Sequence, residues 1–219
     1  MSKYAHKGQI LPITNQMIPI DKETTFHASY DYDLNGFNQG EMVYPAGQTL
    51  AMNFPGATGD YIEVANNSDI NITGSLTVEF WLNVAAAPTA GEVNMIDKNG
   101  YTQYRIGLIT SGAIHTTIRT TDGVTPTYDN GYGTAFTPTI GQWYHIAYVF
   151  NSSAKTISLY VDGALHSSRA STHGAIVPSS ANLMIGKFAS NTQNFKGALQ
   201  DVRIWNTART QSEIAEWMN

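Results

Sequence analysis

The strongest constraint on the fold of this chain lies between residues 141 and 163, where large apolar and smaller or polar side chains alternate. The alternation runs through Tyr144–Phe150 and again through Ile157–Val161. Because successive side chains of a β-strand point to opposite faces, both segments are predicted to be strands with one face in a core. The NSSAK linker at residues 151–155 is rich in turn formers, which favours antiparallel pairing of the two strands. Asp162-Gly163 predicts the next tight turn, because glycine adopts positive φ without steric cost.

Length and composition restrict the function classes that remain open. The 219 residues can form one large all-β domain, and the chain has no cysteine for a disulfide or a thiolate metal site. The net charge of −5, without a basic cluster, argues against nucleic acid as a partner. No apolar run approaches the roughly 20 residues of a membrane helix, and the polar first residues predict no signal peptide. Only 13% of the residues are charged, so the surface should be rich in hydroxyl and amide groups, which suits either glycan contact or ordinary exposed strands.

The rest of the chain is predicted to form many short strands and one helix. Alternating segments succeed one another through residues 24–205, separated by turn formers, which is typical of an antiparallel sandwich or barrel. Residues 122–138 are predicted to be a long loop rich in Gly, Tyr, Thr and Pro. A C-terminal helix is predicted because Thr210 and Glu213 have the spacing of a capping box. Ile214 begins its apolar face, which should seal one edge of the sandwich.

The first 22 residues differ in character from the remainder of the chain. Residues 8–20 are largely apolar but contain Pro12 and Pro19, which exclude a helix and a central strand. We therefore predict an extended N-terminal arm at residues 1–22 and a single domain at residues 23–219. The arm either folds back on its own domain or docks on a neighbouring subunit. Other protein subunits, in a homo-oligomer or a capsid or tail assembly, are therefore candidate partners through residues 1–22.

Four blocks of the sequence carry a resemblance to a known family. They are GDYIEV at residues 59–64, SLTVEFW at 75–81, WYHIA and YVDG at 143–147 and 160–163, and FKGALQDVRIWN at 195–206. In this order they are similar to laminin-G-like, concanavalin A-like lectin domains. The resemblance covers most of the chain and implies a jelly roll of two curved antiparallel sheets with about six or seven strands each. It is weak evidence for an activity, because one fold hosts many functions.

The catalytic array of the related laminarinase-type glycoside hydrolases is not found in the sequence. Those enzymes carry a Glu-x-Asp-x-x-Glu array on one strand, which places the acid and the nucleophile beside one sugar bond. Glu63 and Glu79 each stand alone on a strand, and Glu92 and Asp97 are predicted to be too far apart in sequence to share a strand face. No Gly-x-Ser-x-Gly or His-Glu-x-x-His motif occurs, and His145 is predicted to be structural. We therefore predict that the protein is not an enzyme.

Calcium is the metal that the resemblance implies. In the resembling family a structural calcium ion often ties the first strands to the last, using an aspartate of the terminal strand motif that corresponds to Asp201 here. Asp60, or a carbonyl near Gly56, and Asp31 could complete the set of oxygen ligands that calcium requires. The alternative is that Asp60 and Asp201 cap turns or pair with nearby basic residues.

The candidate glycan-binding segment is Tyr128-Asp129-Asn130-Gly131-Tyr132. Lectin sites place aromatic rings against the apolar face of a pyranose and add hydrogen bonds from amides and carboxylates. Tyr128 and Tyr132 would supply the rings, and Asp129 and Asn130 the polar groups. The alternative is a hairpin whose tyrosines only pack on the sheet.

These observations favour a non-catalytic, lectin-like recognition or structural module. The lack of cysteine, the apolar arm and a jelly roll that fills most of the chain favour a surface decoration or adhesion protein of a phage virion, attached through the arm and binding glycans. The alternatives are a carbohydrate-binding module of a bacterial polysaccharide-utilisation system and a glycoside hydrolase with an unrecognised site. The expected location is a virion surface or the extracellular space.

Overall fold

The computed structural model describes residues 51–57, 59–98, 103–131, 136–188 and 194–218, together with the backbone of two strands at residues 4–6 and 24–28. Within these residues the chain forms strands followed by a short helix. In chain order the elements are β1 (Tyr4–His6), β2 (Thr24–Ala28), β3 (Met52–Phe54), β4 (Ile62–Val64), β5 (Leu76–Val84), β6 (Glu92–Lys98), β7 (Tyr104–Ile109), β8 (Ile114–Thr121), β9 (Thr127–Gly131), β10 (Trp143–Asn151), β11 (Thr156–Val161), β12 (Ala164–Ala170), β13 (Ala175–Ile176), β14 (Leu183–Ile185), β15 (Gly197–Trp205) and α1 (Gln211–Trp217).

The strands form two antiparallel sheets. Sheet 1 has the order β1-β4-β14-β6-β7-β8-β13, with β9 paired to β8. Sheet 2 has the order β12-β11-β10-β5-β15-β2, with β3 paired to β15. Strands that are distant in sequence become neighbours, as β5 does between β10 and β15. The all-β jelly-roll sandwich predicted from the sequence is confirmed.

The β10–β11 meander is present as predicted. Ile146 lies opposite Val161 in an antiparallel register that continues to the start of β11. At the following turn Asp162 and Gly163 have φ angles of 49° and 73°. Two consecutive positive φ angles fit the type I′ hairpin, whose twist matches that of its flanking strands. The predicted tight turn therefore joins β11 to β12.

The hydrophobic core fills the space between the two sheets. Phe80 of β5 and Ile146 of β10 meet the side chains of sheet 1, such as Ile106 of β7, and all three are fully buried. Burial of one such side chain contributes about 1.5–3 kcal/mol to stability. Because the side chains of a strand alternate, the core also decides which residues of each strand lie on the outer faces.

The C-terminal helix begins with the predicted capping box. Thr210 Oγ1 accepts a hydrogen bond from Glu213 N, and Thr210 N donates one to the Glu213 carboxylate.

Among the described residues, none of the helical segments has the length and hydropathy that a membrane-spanning helix requires.

The position of the helix differs from the prediction. Ile214 is fully buried against Ala147 and Val149, which lie on the outer face of β10. The helix therefore covers the outer face of sheet 2, and the prediction that it seals an edge of the sandwich is wrong. The reason is that Ala147 and Val149 leave an apolar strip on that face, and the apolar face of α1 removes the strip from water.

One segment assignment from the sequence also differs from the structure. Residues 122–138, predicted to be one long loop, contain strand β9, which pairs with β8 from Thr120 to Thr116. The sequence of β9, TYDNG, has a weak strand propensity, so its pairing with β8 decides its conformation.

The first residues of the N-terminal arm pair within their own chain. Strand β1 lies antiparallel to β4, with Tyr4 opposite Val64 and His6 opposite Ile62. The rest of residues 1–22 lies outside the described residues. This pairing agrees with the alternative in which the arm folds back on its own domain.

We predict that Ile214→Ala weakens the packing of α1 on sheet 2. The substitution leaves a cavity between the helix and β10, and we expect a loss of about 2–5 kcal/mol in the free energy of unfolding. The measurement is chemical denaturation followed by tryptophan fluorescence. Glu216→Ala, at an exposed position of the same helix, is the control and should change the free energy by less than about 0.5 kcal/mol. Equal effects of the two substitutions would contradict the packing of Ile214 on β10.

Candidate functional site

The outer face of sheet 1 carries a continuous row of polar side chains. Tyr104, Ile106 and Leu108 of β7 point into the core, so Arg105 and Gly107 lie on the outer face. The same alternation in the neighbouring strands adds the other members of the row. They are Glu92, Asn94 and Asp97 of β6, His115, Thr117 and Arg119 of β8, and Tyr128 and Asn130 of β9.

A β-bulge in β6 brings both of its carboxylates to this face. The register shifts between Asn94 and Ile96, so that Asn94 lies opposite Gly107 and Asp97 lies opposite Arg105. A regular strand would place Asp97 on the face opposite to Glu92, because the difference between the two positions is odd. The prediction that Glu92 and Asp97 cannot share a strand face is therefore wrong.

These carboxylates are engaged by neighbouring side chains. Glu92 forms an ion pair with Arg105 through Oε1 and lies 3.1 Å from His115 Nδ1 through Oε2. Asp97 Oδ2 accepts a hydrogen bond from Asn94 Nδ2 at 3.0 Å. Glu92, Asn94 and Asp97 have the spacing of the hydrolase array, Glu-x-Asp-x-x-Glu. However, Asn94 occupies the position of its central aspartate. The array therefore lacks one of its three carboxylates, because an amide carries neither the charge nor the exchangeable proton of a carboxyl group.

Hydrogen bonds connect the buried part of the row to its exposed end. Arg105 Nε donates to Thr117 Oγ1 at 3.2 Å, and His115 Nε2 lies 3.3 Å from the same oxygen. Thr117 Oγ1 donates to Asn130 Oδ1 at 2.9 Å. Arg105, His115 and Thr117 are at most 1% exposed, whereas Asn130 is exposed. The orientation of an exposed amide is therefore set by a buried network.

Tyr128 and Arg119 form the other half of the exposed end. The two residues lie directly opposite each other in the β8–β9 pairing, as Thr117 and Asn130 do. The Arg119 guanidinium carbon lies 5.0 Å from the centroid of the Tyr128 ring, which is a cation–π distance. Tyr128 is 46% exposed. We call these four residues, Thr117, Arg119, Tyr128 and Asn130, the β8–β9 patch.

The structure separates the residues that the sequence grouped as a glycan site. Tyr128 and Asn130 lie side by side on the outer face. Asp129 lies opposite Ile118 on the inner face, where its carboxylate accepts hydrogen bonds from Thr120 Oγ1 at 2.6 Å and Thr172 Oγ1 at 2.8 Å. Tyr132 lies outside the described residues. Two of the four predicted residues thus reach the patch.

Two members of the patch were not predicted. Thr117 and Arg119 occupy alternate positions of the IHTTIRTT segment that forms β8. The alternation was visible in the sequence, because Ile114 and Ile118 mark the inner face. The pairing partner was not visible, since residues 122–138 had been predicted to be a loop.

Two of the three predicted calcium ligands are engaged with neighbours in their own turn or strand. Asp60 Oδ2 accepts a hydrogen bond from Ala57 N at 2.6 Å. Asp201 forms an ion pair with Arg203 of the same strand, and Asp31 lies outside the described residues. Over the described ranges, no group of three or more His, Cys, Asp or Glu is placed to hold a metal ion. The calcium site stays a prediction of the sequence.

A second buried polar cluster lies on the outer face of sheet 2, next to α1. Glu79 Oε1 accepts a hydrogen bond from Trp205 Nε1 at 2.8 Å and lies 3.7 Å from Arg203 Nη1. Arg203 Nη1 donates to the Trp217 carbonyl at 2.7 Å, which ties the end of the helix to the sheet. His145 Nε2 lies 3.9 Å from Glu79 Oε2. Because these contacts join the helix to the sheet, we assign the cluster to the attachment of α1.

Burial shifts two pKa values of this cluster in opposite directions. Burial raises the pKa of Glu79, and the charge of Arg203 opposes that change. Burial, together with the charge of Arg203, lowers the pKa of His145 to about 4. Glu79 and His145 are 0% and 2% exposed, so neither presents a surface to a ligand.

Comparison with known proteins identifies the family. Residues 56–215 match the family described as the concanavalin A-like lectin/glucanases superfamily. The chain belongs to this superfamily. The matched span contains the whole β8–β9 patch and most of both sheets. None of the curated proteins compared with the chain matches its sequence.

Solved structures of toxin binding domains resemble the fold of this chain over most of its length. The binding domain of Paraclostridial Mosquitocidal Protein 1 has a TM-score of 0.70 and 16% identity, covering 90% of this chain and 52% of that one. The binding domain of botulinum neurotoxin serotype G has a TM-score of 0.64 and 14% identity, covering 88% and 50%. The ligand binding domain of botulinum neurotoxin serotype D, in complex with N-acetylneuraminic acid, has a TM-score of 0.58 and 16% identity, covering 80% and 43%.

These structural likenesses concern the fold. The identities are low, and the chain spans about half the length of the binding domains that it matches. A ligand of such a domain can contact the half that has no counterpart here. The superfamily therefore gives the β8–β9 patch a known framework, and the chemistry of the patch has to be judged from its own residues.

We predict that His145 makes the protein less stable as the pH falls below about 6.5. Its pKa is lower in the folded chain than in the unfolded chain, so between pH 6.5 and about 4 the unfolded chain binds a proton that the folded chain does not. Stability is therefore lost as the pH falls through this window, with a slope of at most about 1.4 kcal/mol per pH unit. The raised pKa of Glu79 has the opposite sign, so the wild-type slope is a sum of the two.

The measurement is urea denaturation between pH 7 and pH 4.5 for the wild type and His145→Gln. We expect the variant to lose less stability on acidification than the wild type does. His166→Gln, at an exposed histidine, is the control. Parallel pH profiles for the wild type and His145→Gln would show that the assignment is wrong.

Proposed function

We propose that this protein is a non-catalytic, lectin-like module that binds glycans at the β8–β9 patch. The observation that carries the proposal is the pairing of an exposed aromatic ring with an exposed amide whose orientation is already fixed. Tyr128 and Asn130 are two residues apart on one strand face, so their side chains are separated by about 7 Å. Thr117, on the neighbouring strand β8, fixes the Asn130 side chain by a hydrogen bond to its Oδ1.

The fixed orientation of Asn130 defines what it offers to a ligand. Its Oδ1 accepts the hydrogen bond from Thr117, which leaves the Nδ2 group directed away from that contact. A sugar hydroxyl that accepts from Nδ2 forms a hydrogen bond worth about 1 kcal/mol net. Holding the side chain in place beforehand saves about 0.5–1.5 kcal/mol of ordering cost on binding.

Tyr128 supplies the apolar part of the contact. Its ring is 46% exposed at the edge strand of the sheet. Pyranose rings have an apolar face of C–H groups, and burying it against an aromatic ring removes both surfaces from water. The ring is held from one side by Arg119, so it meets the ligand in a defined position.

Structural relatives support the proposal at the level of the fold. Cell entry of botulinum neurotoxin type C depends on interaction with two ganglioside molecules, and the serotype D domain was solved with N-acetylneuraminic acid. One further relative, the neurotoxin DC binding domain, is seen with rat synaptotagmin II. Domains that contain this jelly roll thus serve recognition.

We predict that Tyr128→Ala weakens glycan binding by at least about tenfold, because it removes the aromatic contact, and that Asn130→Ala weakens it by about fivefold, because it removes a hydrogen bond worth about 1 kcal/mol. The assay is a glycan array with the wild-type protein, followed by calorimetric titration of the strongest ligand with each variant. Leu165→Ala, which shortens a 51% exposed side chain of sheet 2, is the matched control and should bind like the wild type.

Two results would contradict the proposal. Saturable glycan binding that both substitutions leave unchanged would place the site elsewhere. Release of reducing sugars by the purified protein, abolished by Glu92→Gln, would show that the outer face of sheet 1 is a hydrolase site and that the module is catalytic.

The finer proposal is that the module decorates a phage virion surface or serves as its adhesion protein. The apolar, proline-containing arm supports it, because such a segment gains stability by docking on another surface. Strand β1 contains three residues of the arm, and the other residues of the arm lie outside the described ones. The alternative is a carbohydrate-binding module of a polysaccharide-utilisation system, located outside the cell.

We predict that deletion of residues 1–22 abolishes attachment to the parent assembly and leaves the sandwich folded, because its core lies within residues 52–204. Co-sedimentation with the assembly measures attachment, and circular dichroism measures folding. Normal attachment of the truncated protein would overturn the virion proposal and leave the glycan-binding proposal untouched.

A further inference from the structure

Arg119 differs from the other arginines of the two outer faces. Arg105 forms an ion pair with Glu92, and Arg203 forms one with Asp201. Within the described ranges, no carboxylate lies within ion-pair distance of Arg119. A guanidinium is always charged in a protein. The β8–β9 patch therefore contains a positive charge that no carboxylate of the described residues balances.

The side chain of Arg119 is held in place although no carboxylate of the described residues pairs with it. Its Nε is buried without a hydrogen-bond partner among the described residues, and the residue as a whole is partly exposed. The ring of Tyr128 holds the guanidinium at 5.0 Å. A buried Nε costs free energy, since it has lost its water without gaining a partner. The terminal amino groups remain as a pair of donors in a planar fork.

The neighbours of Arg119 set what the fork can bind. Arg119 and Tyr128 form one cross-strand pair, and Thr117 and Asn130 form the next pair on the same face. The two pairs are about 7 Å apart along the strands. One sugar residue can therefore rest on Tyr128 and accept from Asn130 while a carboxylate on its ring reaches Arg119. A carboxylate matches the fork, because it accepts two parallel hydrogen bonds.

We propose that the glycan bound at the β8–β9 patch is an acidic one, whose sugar carboxylate pairs with Arg119. This proposal rests on the proposed function, because it assigns the class of glycan to the same site. Sialic acids and uronic acids both carry the required carboxylate. The net charge of the chain is −5, so long-range attraction does not select such a ligand. The selection comes from the contact with Arg119 and is only partly screened by salt.

The alternative role of Arg119 is to cover one face of Tyr128. In that role the residue would hold the ring and would make no distinction between acidic and neutral sugars. The two roles are separated by comparing ligands that differ only in the carboxylate, because the support of the ring acts equally on both.

The experiment uses the full chain and an array of oligosaccharides. One set ends in N-acetylneuraminic acid, a second contains glucuronic or galacturonic acid, and each ligand has a counterpart in which the carboxyl group is reduced to an alcohol. The strongest acidic ligand and its reduced counterpart are then titrated into the wild type, Arg119→Gln and Arg119→Lys. Lys196→Gln, which removes one positive charge from an exposed position just before β15, is the matched control.

We expect the wild type to bind the acidic ligand at least about tenfold more tightly than its reduced counterpart. Arg119→Gln should abolish that preference, so that it binds the acidic ligand and its reduced counterpart within about threefold of each other; the lost support of the Tyr128 ring weakens both ligands by the same factor. Arg119→Lys should keep part of the preference, because it retains the charge and loses the fork. Lys196→Gln should behave like the wild type. If the tightest ligand comes from the first set, the bound sugar is a sialic acid; if it comes from the second set, it is a uronic acid.

Equal binding of acidic and reduced ligands by the wild type overturns the acidic-glycan proposal and leaves the glycan-binding function in place. A preference that survives in Arg119→Gln also overturns it, since the carboxylate would then be bound elsewhere. Failure of every ligand to saturate the wild type overturns both proposals. Circular dichroism of each variant confirms that it is folded.

Discussion

Burial of apolar side chains between the inner faces of the two sheets holds every other part of this protein in place. Phe80, Ile106 and Ile146 are fully buried there, together with the rest of a cluster that draws on both sheets. A strand that turns one set of side chains inward must turn the alternate set outward. The polar row of sheet 1 and the apolar strip under α1 are therefore consequences of how the core is filled.

The buried charged groups on the outer faces of the two sheets are stabilised in different ways. Each carries buried charged groups, which are stable only when they have partners. On sheet 2, Glu79 and Arg203 are held by Trp205 and by the end of α1, so the cluster is closed off by the helix. On sheet 1 the network that starts at Glu92 runs through Thr117 and ends at an exposed amide. Only the second arrangement presents a prepared surface to a ligand.

Much of the fold could be predicted because its signals are local. The period-two alternation of β10 and β11, the turn at Asp162-Gly163 and the capping box of α1 each depend on residues within a few positions. The family resemblance added the jelly roll, which the match over residues 56–215 confirms. The predictions for the helix position and for residues 122–138 were wrong. Each depends on a contact with a distant strand, which the local sequence pattern does not identify.

The candidate site shows where prediction from the sequence stopped. Tyr128 and Asn130 were recognised by residue type, but the bulge that turns Asp97 to the outer face is a property of the β6–β7 pairing. The alternation of side chains, the chemistry available and the absence of cysteine follow from the amino-acid order itself. The tertiary structure alone decided that Asp129 faces inward, that Arg119 stands beside Tyr128 and that Thr117 orients Asn130. The physical reason is that hydrogen bonds and ion pairs act over a few ångströms, and the pairing of sheet strands chooses which distant residues come that close.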